Sequence, residues 1–294
     1  MSALRLIFLT SLAMLAFAGN SLLCRLALKH TGIDASSFTS IRLVSGAVIL
    51  WLVVRLTRGS WAGTGNWRSA CALFVYAAGF SFAYVSLPAA TGALLLFGAV
   101  QTTMIGHALW KGEHLQKLQT LGLAFAIGGL VALFLPGLSA PPLIGSLLML
   151  GAGMAWGIYS LRGKGAGDPI QVTAGNFLRA APLALATSLL GISPISLDTA
   201  GVAYAVLSGA LASGLGYAIW YTALPALPST SAATVQLSVP VIAALGGILF
   251  LGESVTLRLV LASLAILGGI ALVLLNKAKI TLPMATLQAV DPEQ

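Results

Sequence analysis

Seven acidic residues are present: Asp34, Glu113, Asp168, Asp198, Glu253, Asp291 and Glu293. All fall in short polar connections or in the tail, never inside an apolar run. Acid–base catalysis needs a positioned carboxylate or its equivalent, and a carboxylate-based proton antiporter needs one within the membrane. Neither chemistry has its residues here, so the chain reads as a non-enzyme without cofactor. The histidines His30, His107 and His114 are too scattered for a metal site, and Cys24 and Cys71 read as packing thiols. His107, near the end of its run, is either structural or a proton-carrying or gating residue. No glycine-rich phosphate loop followed by Lys-Ser/Thr occurs, so the chain carries no ATP motor of its own.

What remains is uncharged polarity and aromatic surface inside apolar runs. Asn20, Gln101, Ser213 and Gln236 lie deep in such runs. A buried amide must find a partner, either another helix or a solute. The positions matching Gln101 and Gln236 in an internal duplication are Val241 and Leu96, so packing common to both copies does not require the amides. Tyr76, Phe80, Trp156 and Tyr159 are set deep as well, and Trp156 and Tyr159, three apart, share a helix face. An aromatic wall of this kind suits a largely apolar or zwitterionic solute. Tyr84, Trp220 and Tyr221 stand near run ends and suit an interfacial belt. Arg42 and Arg179 each enter about eight residues into a run. Each could bind a carboxylate, pair with carbonyls or cap a helix; their matched positions in the duplication favour structure.

The elements that position these residues are ten apolar runs, roughly 4–28, 35–56, 69–87, 91–110, 117–135, 142–161, 170–190, 199–221, 231–251 and 256–275. Each approaches the ~20 residues that cross a bilayer as a helix. Charged residues make up 7% and hydrophobic ones 58% of the 294, too little charge to cover a soluble surface. Arg5 and Ala16-Phe17-Ala18 imitate a secretory leader, but alignment of the first run with 142–161 favours a retained helix. The net charge of +8 is dispersed between runs rather than gathered into a nucleic-acid patch. With the N-terminus inside, Arg5, Arg55, Arg58, Arg68, Lys111, Lys117, Arg162, Lys164, Lys277 and Lys279 face inward. Only Arg25, Lys29 and Arg258 face outward, which puts both termini in the cytoplasm.

The runs repeat. A shift of 140 places Gly112-Glu113 and Gly128-Gly129 on Gly252-Glu253 and Gly268-Gly269, and a shift of 137 places Arg42 on Arg179. Two five-helix halves, 1–137 and 138–276, followed by a tail at 277–294, follow from this. Five is odd, so the second half is inverted. The Gly-Gly pairs read as close helix contacts. Glu113 and Glu253 read as N-terminal caps of the fifth and tenth helices. Pro182 and Pro240, mid-run, read as helix breaks, with Pro240 and Gly246-Gly247 a flexible point.

With these features the chain resembles the drug/metabolite transporter superfamily, EamA-type, and within it the YddG-type exporters of aromatic and other amino acids. The Gly-Glu turns, the arginines of helices 2 and 7 and the ten-run duplication carry that resemblance. It implies an all-α integral membrane protein with a central cavity lined by helices 1, 3, 4, 6, 8 and 9. It also implies alternating-access export of neutral amino acids by a monomer in the bacterial inner membrane. Substrate contact is then expected from Asn20, Tyr76, Phe80, Gln101, Trp156, Tyr159, Ser213 and Gln236, with Arg42, Arg179, Pro240 and His107 as gating or structural residues. A carrier of another metabolite or lipophilic drug, or a non-transporting scaffold, are the alternatives.

Overall fold

A computed structural model describes residues 2–59, 64–112, 116–135, 140–163, 166–190, 194–227 and 235–281. These residues form ten helices and no strand. They are α1 (Ala3–His30), α2 (Ala35–Arg58), α3 (Trp67–Tyr84), α4 (Ala89–Trp110), α5 (Lys117–Phe134), α6 (Leu143–Gly163) and α7 (Pro169–Leu189). α8 is composite: Thr199–Leu207 is α-helical, Ser208–Leu215 is π-helical and Gly216–Ala223 is α-helical again. α9 (Ser238–Leu251) and α10 (Leu257–Thr281) complete the bundle. Six helices are long and apolar enough to cross a membrane by length and composition: α1, α2, α4, α6, α8 and α10. α5 and α9 are shorter apolar helices. Leucines, isoleucines and phenylalanines are exposed along their outer faces, as a lipid-facing surface requires.

The acidic residues explain several helix starts. Asp34 accepts the N–H groups of Ser36 and Ser37, each at 3.0 Å, Asp168 that of Ile170 at 3.0 Å, and Asp198 that of Gly201 at 3.0 Å. Each supplies an acceptor to backbone donors that have no partner within the helix.

Glu253 departs from the expected cap. Thr256 Oγ1 accepts the Leu259 N–H at 3.2 Å and serves the start of α10. Glu253 reaches elsewhere: its Oε2 accepts the N–H of Ala89 at 2.7 Å, at the start of α4, where Pro88 has no side chain able to cap. Its Oε1 accepts from Arg25 Nε at 3.1 Å, and Arg25 Nη1 donates to the Tyr84 and Val85 carbonyls at 2.9 and 3.1 Å. Arg25 is therefore not a loop cation. It is buried in α1 and ties the end of α3, the start of α4 and the α9–α10 turn together. The turn itself depends on Gly252, whose φ of +61° is left-handed; Gly112, after α4, has φ +88°. Glu113 and His114 lie outside the described residues.

Three other expectations change. Pro240 stands in the first turn of α9, where a missing N–H costs no helical bond. The interruption falls at Leu237, and α9 then runs unbroken through Gly246-Gly247. α7 continues through Pro182. α10 extends past Lys277 to Thr281, beyond the expected start of the tail.

α1 packs on α8 and α9, α2 on α7 and α8, α3 on α6 and α7, and α4 on α6 and α9. α5 and α10 form a tight pair beside this core, joined to it through α4. One glycine of each Gly-Gly pair faces the partner helix. A Cβ on Gly129 would meet Ala265 at 2.7 Å and one on Gly269 the Gly122 carbonyl at 2.4 Å, whereas Gly128 and Gly268 have open space.

Candidate functional site

The middle of the bundle holds a continuous set of aromatic rings. Trp156 of α6 is its centre, 4.8 Å from Tyr76 of α3, 4.8 Å from Tyr217 of α8, 5.4 Å from Tyr159 and 6.4 Å from Phe17 of α1, between ring centroids. The chain of rings extends from Tyr76 through Phe80 to Tyr84, from Tyr217 to Phe177, and from Tyr217 through Phe17 to Trp220. All nine rings are buried. Tyr84 and Trp220 thus belong to the interior and not to an interfacial belt. Phe177 of α7 joins a cluster that sequence reasoning built without helix 7.

A polar cluster lies against these rings. The Tyr76 hydroxyl is its hub: Asn20 Nδ2 donates to it at 3.3 Å, Arg42 Nη2 at 3.1 Å and Tyr217 Oη at 3.5 Å. Ser208 Oγ donates to Asn20 Oδ1 at 2.6 Å, and Arg42 Nε donates to Ser213 Oγ at 3.1 Å. The Arg42 guanidinium also stands over the Phe80 and Tyr76 rings, 4.8 and 5.2 Å from their centroids. Such contacts favour a cation.

The π-helical turn of α8 makes this convergence possible. Ser208 and Ser213 both lie in it, and its small residues admit α2. A Cβ on Gly209 would stand 2.1 Å from the Arg42 carbonyl. Extended π-helix is rare and recurs at functional sites. The stretch SGALASGL shows only its small residues in the sequence; nothing there marks the wider winding.

Of the expected site residues, Asn20, Tyr76, Phe80, Trp156, Tyr159 and Ser213 come together. Gln101 is buried in α4, and Gln236, also buried, lies just before the interruption at Leu237. His107 sits half-buried in the last turn of α4. The two arginines part company. Arg179 Nη1 donates to the Thr64 and Gly175 carbonyls, both at 2.9 Å. Arg42, at the matched position, enters the central cluster, so helix 2 is not outside it.

Both ends of α3 are fastened. Beyond its C-terminus stands the Arg25–Glu253 pair. At its N-terminus, Arg162 of α6 donates to Ser69 Oγ at 3.1 Å and Asn66 Oδ1 at 3.2 Å. Tyr76 lies halfway between. An apolar groove of about 660 Å³ opens elsewhere, between α5 and α10, lined by Leu121, Phe125, Gly129, Leu261 and Ala265. It contains none of these residues and faces outward.

Comparison with known proteins gives a consistent picture. The EamA-like transporter family model matches residues 143–275. The uncharacterized protein PA1977 of Pseudomonas aeruginosa is 60% identical over 271 residues, covering 92% of this chain and 94% of that one. The threonine/homoserine exporter RhtA of Salmonella typhimurium is 35% identical over 132 residues; the match spans 43% of each protein. The uncharacterized transporter YoaV of Bacillus subtilis is 27% identical over 188 residues, 61% of this chain and 64% of that protein. A solved crystal structure shares the fold at TM-score 0.68 and 18% identity, over 95% of this chain and 99% of the other.

Proposed function

We propose that this chain, which belongs to the EamA-like transporter family of the drug/metabolite transporter superfamily, is an exporter of neutral amino acids working by alternating access without ATP. The observation that carries the reading is the buried cluster of Asn20, Arg42, Tyr76, Ser208 and Ser213 against the rings of Phe80, Trp156 and Tyr217. In a multi-pass membrane protein a polar cluster at this depth is costly unless it is used. Its hydroxyls, amide and cation suit the polar head of an amino acid, and the rings suit its side chain, aromatic or otherwise.

Five-helix halves of opposite orientation would expose this cluster to each face in turn. The fastenings at the two ends of α3 would then be the contacts that open alternately, Arg25–Glu253 on the outer face and Arg162–Ser69–Asn66 on the cytoplasmic face. The local likeness of RhtA favours amino acids over other metabolites, and the aromatic wall favours breadth, from threonine to phenylalanine and tryptophan. Counterflow into proteoliposomes from an amino-acid mixture tests it. Uptake of at least one neutral amino acid above empty liposomes supports the reading. Uptake of none, with nucleobases or lipophilic cations moving instead, replaces it.

A further inference from the structure

We propose that Arg42 is the receptor for a carboxylate, and that a carboxylate is the feature a solute must carry. The inference deepens the transport reading above and rests on it only for the claim that this cluster meets a solute.

Arg42 is 1% exposed, in the interior of α2. A guanidinium has five N–H donors in a planar fork. Here Nε is spent on Ser213 and one Nη2 donor on Tyr76. Nη1 has no hydrogen-bond partner among the described residues. No ion pair involving Arg42 is formed among them either. The described carboxylates are engaged elsewhere, Asp34, Asp168 and Asp198 at helix starts and Glu253 on Arg25 and Ala89. A desolvated cation is expensive, and hydroxyl and ring contacts return less than an anion would. The guanidinium that carries these donors stands against the Tyr76 hydroxyl, which Tyr217 also reaches, and over the Tyr76 and Phe80 rings.

The chemistry that completes this set is a planar anion of unit charge able to take two N–H donors of one fork and a neighbouring hydroxyl, which describes a carboxylate. Arg179 provides an internal contrast, since its Nη1 is spent on two carbonyls. The comparison separates an arginine that holds helices from one that keeps donors in reserve.

The test is a solute panel on the intact wild-type protein in proteoliposomes. It contains phenylalanine and threonine, their carboxamides, phenethylamine, and 3-phenylpropanoate, which keeps the carboxylate and lacks the amine. Competition in counterflow and thermal stabilisation of the detergent-solubilised protein are both read. Carboxylates are expected to outcompete their amides and the amine by tenfold or more. Arg42→Gln should abolish that preference, and Arg42→Lys, which keeps charge without the fork, should weaken it. A purely structural arginine would leave the ranking of acid against amide unchanged.

Amino acids and their amides moving equally well would overturn the proposal while leaving an amino-acid exporter standing. 3-Phenylpropanoate moving in place of amino acids would overturn the exporter reading and support the carboxylate receptor. Should both variants fail to fold, the wild-type panel still decides. Wild-type protein neither moving nor stabilised by any carboxylate in the panel also overturns the proposal.

Discussion

The Tyr76 hydroxyl serves Asn20, Arg42 and Tyr217 at once, so its removal strands several donors together. Tyr76→Phe keeps the ring contacts with Phe80 and Trp156 and deletes only the oxygen. A buried polar group left unpaired costs about 1–3 kcal/mol, and about 1.4 kcal/mol is a factor of ten. Transport efficiency, as Vmax/KM in counterflow, is therefore expected to fall about tenfold or more while folding, read by circular dichroism, is retained. Trp156→Ala removes the ring that touches four others and should impair transport and stability together, read by flux and by Tm. At this scale Asn20 was legible in the sequence, because an amide in an apolar run demands a partner. The Trp156–Tyr159 pair was legible from its three-residue spacing. Arg42 was expected outside the central cluster, because its match with Arg179 suggested a shared architectural part, and it lies within it. Matched positions do not fix matched surroundings: Arg42 meets a π-helical turn and Arg179 meets the Thr64 carbonyl.

Among the elements, α8 depends on the narrowness of its middle. Gly209→Val would drive a side chain into the Arg42 carbonyl, which would be 2.1 Å from the new Cβ, and α2 would have to withdraw. Loss of transport with a lowered Tm is expected, whereas Gly128→Ala, facing open space, should change neither. The Arg25–Glu253 pair joins α1 to the α9–α10 turn across 228 residues of sequence. Removing one partner of a buried pair leaves the other uncompensated, at a cost of roughly 3–5 kcal/mol. Glu253→Ala should thus destabilise strongly, and Glu253→Gln less, because an amide oxygen still caps Ala89; thermal unfolding of the two variants checks the order. The apolar runs made the ten helices legible, since burial in lipid leaves no other use for such sequences. The capping of α4 by Glu253 was not, because it is a tertiary contact made only after Pro88 leaves that helix start without a side-chain cap. The break at Leu237 was displaced from Pro240 for a local reason: a proline deprives the carbonyl four residues earlier and so disturbs the chain behind it.

Taken whole, the molecule has a cluster closed at both ends of α3, a pattern suited to a carrier caught between its two openings. If the Arg25–Glu253 contact is the outer closure, cysteines placed at positions 29 and 85 should become more reactive to an impermeant thiol reagent in the Glu253→Gln background. Labelling at position 68, on the opposite end, should not rise. On the carboxylate-receptor reading, an unloaded carrier would turn over with the Arg42 guanidinium unpaired, while a loaded one would turn over with it paired to the solute carboxylate. The return journey would then be the slow leg, and solute waiting on the far side should quicken it. Export should accelerate several-fold when unlabelled solute is supplied in trans, and the acceleration should vanish once position 42 is uncharged.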